Sequence, residues 1–133
     1  MRLSFQKRIM ELKHRSIIIV ANTSWYVYNF KAELIERLLD LGVKVFTITG
    51  GDGYVSKLKE QGCKCLEMEF YSRGRNPVQD LFLFLNLFIR YKRIKPFCVL
   101  QFTTKPNIYG SLAAKILGIP TISNVSGLGA AFD

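Results

Sequence analysis

The stretch Ser16-Ile17-Ile18-Ile19-Val20-Ala21, followed by Asn22-Thr23-Ser24-Trp25-Tyr26-Val27-Tyr28-Asn29-Phe30, decides the fold. After Ser16 the first segment is unbroken apolar and mostly β-branched. Alternation would mark a strand with one wet face. An unbroken run of this length suits a strand buried on both faces, as parallel sheets require. Asn22 to Asn29 reads as a polar and aromatic turn. The period then changes: Phe30, Leu34, Ile35, Leu38, Leu39 and Leu41 recur at helical spacing, with Glu33, Glu36, Arg37 and Asp40 on the other face. Gly42 is the expected stop.

Outward from this unit the pattern repeats. Lys44 to Thr49 reads as a strand, Gly50-Gly51-Asp52-Gly53 as a turn, and 54–61 as a short helix ending at Gly62. A third strand is predicted over 64–70, a loop from Arg73 to Pro77, and a long helix over 78–95 that Pro96 ends. Phe97 to Phe102 gives a fourth strand. Pro106 suits the first turn of a helix running to Leu117. The turn Gly118-Ile119-Pro120 leads to a fifth strand over 121–125. Strands alternating with helices predict the α/β class, with a doubly wound parallel sheet.

The long helix has its own pattern. Gln79, Asn86, Arg90 and Arg93 line one narrow polar stripe, and most of the remainder is apolar. A core crossover helix explains most of that. The width of the apolar face leaves room for contact with a membrane or a partner domain.

The chain has 133 residues, 49% hydrophobic and 22% charged, which suits one globular domain and argues against disorder. It is too short for a two-domain enzyme with a cleft between domains. Lys and Arg number 19 against 10 Asp and Glu, a net charge of +9. Such a surface favours nucleic acid, acidic lipid headgroups or phosphorylated substrates. The basic residues are dispersed and no helix-turn-helix or RNA-binding signature is present, so nucleic acid is not the expected partner. Cys63, Cys65 and Cys98 are odd in number and lack zinc spacing, which suggests reduced structural thiols and no metal site. No stretch reaches the ~18–20 apolar residues of a membrane span.

Residues 1–15 carry Arg2, Lys7, Arg8, Lys13 and Arg15 against Glu11, with Leu3, Phe5, Ile9, Met10 and Leu12 among them. They have no apolar core or cleavage site of a secretory signal. They read as a basic amphipathic extension before a domain over 16–133, able to lie on an anionic membrane surface. Cytoplasmic residence is the expectation. At Asp133 the chain has just passed a Gly-rich turn, where another helix is the natural next element, so a half-length chain is expected.

Ligands of doubly wound folds sit beyond the carboxyl ends of the strands. That rule singles out the turns Asn22–Asn29, Gly50–Gly53, Tyr71–Asn76, Thr103–Asn107 and Ser126–Gly129. The first holds aromatic faces that stack on sugar rings, and amides and hydroxyls that read sugar hydroxyls. An aromatic cap over the sheet edge is the plainer reading. No G-x-G-x-x-G follows the first strand, which counts against a dinucleotide site. Gly50–Gly53 is either a backbone phosphate cradle or a simple turn, and the turn is preferred because the Walker Lys-Ser/Thr ending is absent. Lys105 with the helix start after it attracts an anion or is a solvated lysine beside a capped helix. His14 lies away from the strand ends, and no Ser–His–Asp or Cys–His set can be built with it.

At these turns the sequence resembles a known family. Asn22-Thr23-Ser24-Trp25-Tyr26 with Tyr28-Asn29-Phe30, Lys105-Pro106-Asn107-Ile108-Tyr109-Gly110-Ser111 and Asn124-Val125-Ser126-Gly127-Leu128-Gly129 are similar to motifs of glycosyltransferase family 4. The branch is the one that builds capsule, O-antigen and glycan-lipid sugars. Gly74-Arg75-Asn76-Pro77 and Gly118-Ile119-Pro120 fit the same pattern. The resemblance implies the N-terminal, Rossmann-like half of a two-domain GT-B fold. That half mainly binds the acceptor, while a C-terminal half, not present in this sequence, binds the nucleotide sugar. It further implies transfer with retention, no bound metal and no cofactor beyond the nucleotide-sugar co-substrate. The implied acceptor is a saccharide on a polyprenyl diphosphate at the inner membrane face. Carried over, Asn22, Ser24, Trp25, Tyr28 and Asn29 would line the acceptor side, and Lys105, Asn107 and Tyr109 would border the cleft. Asn124, Ser126, Gly127 and Gly129 would face the other half; Ser126 stands where related sequences often have Thr. The resemblance assigns no catalytic residue in this half. A non-catalytic module that sits on the membrane and recruits a separate donor-binding subunit is the alternative.

Overall fold

The computed structural model describes residues 13–69, 77–102 and 106–124, with backbone only for 106, 107, 123 and 124. The order of elements is β1 (Ser16–Thr23), α1 (Ser24–Asp40), β2 (Lys44–Gly50), α2 (Val55–Gln61), β3 (Lys64–Glu67), α3 (Pro77–Ile94), β4 (Cys98–Phe102), a π-helical turn (Pro106–Gly110), α4 (Ser111–Leu117) and β5 (Thr121–Asn124). The strands form one sheet in the order β3-β2-β1-β4-β5, and every pairing is parallel. This is the doubly wound α/β architecture that the strand–helix alternation predicts.

The unbroken apolar run of β1 now has its cause. β1 is the central strand, and helices cover both of its faces. Ile17, Ile19 and Ala21 pack with Val27 and Ile35 of α1 and Leu58 of α2. Ile18 and Val20 pack with Leu83, Leu87 and Tyr91 of α3 and Ala113 and Ala114 of α4. Each fully buried isoleucine or leucine contributes about 1.5–3 kcal/mol of burial free energy. Gly42 ends α1 as expected. Its φ of 84° lets the Gly42 N–H reach Leu39 O and the Val43 N–H reach Leu38 O, both at 3.0 Å, so the last carbonyls find donors.

Three boundaries differ from the sequence reading. Asn22 to Asn29 is not a turn: β1 continues to Thr23 and α1 begins at Ser24. Thr23 makes the change abrupt, because its side-chain oxygen accepts the Tyr26 N–H at 3.1 Å and caps the helix. The third strand stops at Glu67, and α4 is preceded by a π-helical turn instead of an unbroken helix from Pro106. Gly110, the last residue of that turn, touches the buried pair Tyr91 and Gln101. A Cβ there would lie 2.0 Å from Gln101 Oε1 and 2.8 Å from the Tyr91 hydroxyl. The Tyr91 hydroxyl and Gln101 Oε1 are hydrogen-bonded at 3.0 Å, and Gln101 Nε2 donates to Ser111 Oγ at 2.9 Å. Burial raises the Tyr91 phenol, so it stays neutral and able to donate.

All three cysteines are free thiols. Burial, with the neighbouring Cys65 second, pushes the Cys63 thiol up to about 12, and burial also raises Cys98. No helix among the described residues is long and apolar enough to cross a membrane.

Candidate functional site at the carboxyl edge of the sheet

In this strand order the connections reverse direction between β1 and β4, and the crevice at that switch point is where such folds take ligands. The end of β1 departs from regular pairing. Between Val20 and Thr23 the register with β2 slips by one residue, so Val20 pairs Ile48 while Thr23 pairs Gly50. A bulge of this kind bends the strand and re-aims its last side chains. Gly50 permits it: a Cβ there would meet the Asn22 carbonyl oxygen at 2.6 Å. Asn22 Oδ1 is buried with no hydrogen-bond partner among the described residues. A buried acceptor in that state calls for a donor from water or a ligand.

The first turn of α1 is fixed from within the protein. Ser24 is fully buried and its hydroxyl is hydrogen-bonded to that of Thr49 on β2. Asp52 accepts the Trp25 N–H with one carboxylate oxygen (3.1 Å) and the Tyr54 N–H with the other (2.9 Å). The turn Gly50–Gly53 therefore brings its own anion to the positive end of α1. Of the two sequence readings of that turn, the simple turn is the one the geometry supports. Asp52 is absent from the residues the motifs mark; an Asp among glycines is nevertheless a turn signal, since its short carboxylate reaches backbone N–H groups close by.

The expected acceptor residues divide into three groups. Trp25 and Asn29 share the outer side of α1. Trp25 is 47% exposed and meets Phe30 edge to face at 5.7 Å, while Asn29 Nδ2 donates to Trp25 O at 2.9 Å. Tyr28 turns toward α2, with its ring 5.7 Å from Tyr54 and the Lys57 ammonium over both rings. Ser24 lies inside. Tyr26, not among the expected residues, bridges to the end of β4: its ring lies 6.0 Å from Phe102, whose face carries the Lys31 ammonium at 4.6 Å. No signal in sequence separation announces that contact.

Tyr109 is not joined to this group. It packs on the opposite face of the sheet, with the α3 and α4 core. Its hydrogen bond to the Asp80 carboxylate of α3, ahead of burial and charge, raises its phenol. Lys105, Ser126, Gly127 and Gly129 lie outside the described residues, and Asn107 and Asn124 are described in backbone only. The lone histidine, His14, is at the amino edge of the sheet, where its N–H donates to Gly42 O at 3.0 Å. It stands far from the carboxyl ends, as expected.

A parallel sheet in this order, flanked by helices, defines a Rossmann-like α/β domain. The chain belongs to the glycosyl transferase 4-like family, which it matches over residues 16–133. It is 34% identical over 104 residues to the Campylobacter jejuni N,N'-diacetylbacillosaminyl-diphospho-undecaprenol alpha-1,3-N-acetylgalactosaminyltransferase, covering 77% of this chain and 28% of that protein. Its structure is similar to Acinetobacter baumannii MurG, with a TM-score of 0.61 and 23% identity over 85% of this chain and 34% of that one. A glycosyltransferase from Rickettsia africae gives a TM-score of 0.67 at 21% identity, over 83% of this chain and 29% of that one. At those identities the structural likeness concerns the fold. The chain spans less than a third of the Campylobacter relative's length.

Proposed function

We propose that the chain is the acceptor-binding, N-terminal part of a retaining glycosyltransferase. It would move a sugar from a nucleotide sugar to a saccharide carried on a polyprenyl diphosphate, in cell-surface polysaccharide synthesis at the inner face of the plasma membrane. Family membership supports the transfer chemistry. The observation that carries the acceptor role is the unpartnered Asn22 Oδ1 at the end of β1, followed three residues later by the half-exposed Trp25. In this reading the Trp25 ring stacks on a sugar and Asn22 takes a hydroxyl proton as hydrogen-bond acceptor, with Asn29 and Tyr28 at the rim. Ser24 acts by position, holding the helix start to β2 through Thr49. By resemblance alone, Lys105 and Asn107 would border the cleft and Asn124, Ser126, Gly127 and Gly129 would face a donor-binding half, while Tyr109, packed with the α3 and α4 core, is set apart from the Trp25 side.

Preorganisation is what the local structure adds. The Thr23 cap and the Asp52 carboxylate fix the backbone that carries Trp25 before any ligand arrives, so less ordering entropy is lost on binding. The test is transfer by this chain joined to its donor-binding half. Trp25→Ala should raise the acceptor KM about tenfold, the equivalent of one aromatic stack. An unchanged KM overturns the acceptor site, and full transfer by residues 1–133 alone overturns the half-enzyme reading.

One observation favours the alternative, a membrane-associated recruiting module. Val78, Leu81, Phe82, Leu85 and Ile89 form an exposed apolar stripe on α3, and the stripe runs into Lys92, Arg93 and Lys95. Such a face suits an anionic bilayer. The module should float with anionic vesicles at low salt, and Leu85→Glu should abolish it. Failure to float at low salt, where screening is weakest, removes this reading.

A further inference from the structure

The hydrogen-bonded chain from Tyr91 through Gln101 to Ser111 has no part in the site above, yet it ends beside the switch point. Tyr91 of α3 and Gln101 of β4 are fully buried. The Tyr91 hydroxyl donates to Gln101 Oε1 at 3.0 Å, and Gln101 Nε2 donates to Ser111 Oγ at 2.9 Å. The Gln101 backbone is paired with Val20 of β1, so this carboxamide is carried by the centre of the sheet. Ser111 opens α4, and the π-helical turn Pro106–Gly110 stands directly before it. That turn packs against β1 and β4, the two strands at the switch point, and against α3 and α4. Such turns are rare, are built around one extra residue, and recur at functional sites. Here the extra residue is held from below. A Cβ on Gly110 would lie 2.0 Å from Gln101 Oε1 and 2.8 Å from the Tyr91 hydroxyl. The carboxamide is bonded at both of its ends, so it is not free to swing aside.

We propose that Tyr91 and Gln101 are positioning residues for sugar transfer: through Ser111 and Gly110 they hold the π-helical turn against β1 and β4, and so set one wall of the acceptor crevice. Both are buried, so they act on the turn and not on a ligand. A buried polar network whose members are bonded to one another specifies a single arrangement, which an apolar contact of the same size does not. Burial keeps the Tyr91 phenol protonated and able to donate. The role rests on the acceptor reading above.

The experiment keeps the two apart. Tyr91→Phe keeps the buried ring and removes the hydroxyl. Ser111→Ala removes the acceptor at the other end of the network, and Ser111→Thr returns a hydroxyl. Ser111 is only partly buried, so its variants keep the fold even if Tyr91→Phe does not. Amide hydrogen exchange is followed in the 133-residue chain, and transfer in the chain joined to its donor-binding half. Tyr91→Phe and Ser111→Ala should each speed exchange at Gly110 and Ser111 about tenfold, while Ile18 and Val20 of the central strand stay protected. Each should raise the acceptor KM about fivefold and leave the donor KM unchanged, and Ser111→Thr should restore the wild-type value. A merely structural role would lower the melting temperature and the active fraction, read as kcat, without moving the acceptor KM. The proposal is overturned if exchange at the turn is unchanged, if it rises equally through the central strand, or if the acceptor KM stays at the wild-type value while Trp25→Ala raises it. An unchanged KM in Trp25→Ala overturns the acceptor site itself, and faster exchange confined to the turn then still supports the network's hold on it.

Discussion

The carboxyl ends of β1 and β3 carry similar side chains in opposite conditions. At β1 the polar groups are consumed by the protein. Thr23 caps α1, Ser24 bonds Thr49, and both oxygens of Asp52 hold backbone N–H groups. What remains for a ligand there is an aromatic face and one unpartnered amide oxygen. At β3 the side chains of Glu67, Asn86 and Arg90 line a cleft, and among the described residues the guanidinium donates to Glu67 O. The first end is stiff and selects by shape. The second presents polar side chains to an open cleft. A polar residue at the edge of a sheet is thus informative only after its partners are counted.

That contrast is open to attack by mutation. The largest effect belongs to the stiff end. Gly50→Ala drives a Cβ into the Asn22 carbonyl, 2.6 Å away, and backbone cannot swing aside as a side chain can. Overpacking of this kind should cost about 1–3 kcal/mol, read as a lower denaturant midpoint at unchanged slope. A neutral outcome would mean that the bulge is soft. Asp52→Ala comes next. It removes the acceptor of two exposed or half-exposed N–H groups that water can partly replace, so a loss of about 1 kcal/mol is expected. A larger loss would place more of the fold's stability in this turn than its hydrogen bonds account for. The smallest effect belongs to the open end. Phe82→Ala should change stability by less than about 0.5 kcal/mol, because the ring is mostly exposed. A loss above that would show that Phe82 serves the core, and the contrast between the two ends would fail.

The sequence carried most of the fold because the controlling signals are local. The apolar run Ile17–Ala21, the helical recurrence from Phe30 to Leu41 and the glycine at 42 each report a short-range requirement. The boundary errors are equally physical. Asn22 to Asn29 has turn composition, but Thr23 caps a helix that starts within it. The π-helical turn before α4 arises from the packing of Gly110 on Gln101 and Tyr91, residues well separated along the chain. Local pattern holds no record of such a contact.

The candidate site was legible in composition and not in arrangement. The motifs marked Trp25, Tyr28 and Asn29 together, yet a helix rotates successive side chains by about 100° and sends Tyr28 to Tyr54 while Trp25 and Asn29 stay outside. Ser24 looked like a ligand contact and is a buried link to Thr49. Asp52 looked like a turn residue and also holds the start of α1. The stripe Gln79–Asn86–Arg90 was visible as a period, while nothing in the sequence announced that Glu67, at the end of β3, and Glu69, just past it, come to lie opposite it.

By itself, then, the sequence determined the alternation of buried strands and amphipathic helices and the family. These follow from periodicity, from glycine and proline geometry and from short motifs, all set within a few residues. Only the tertiary structure decided which polar groups are spent inside the protein and which face a ligand. That choice depends on hydrogen bonds across the sheet and between crossovers, formed by residues that the chain brings together only when it folds.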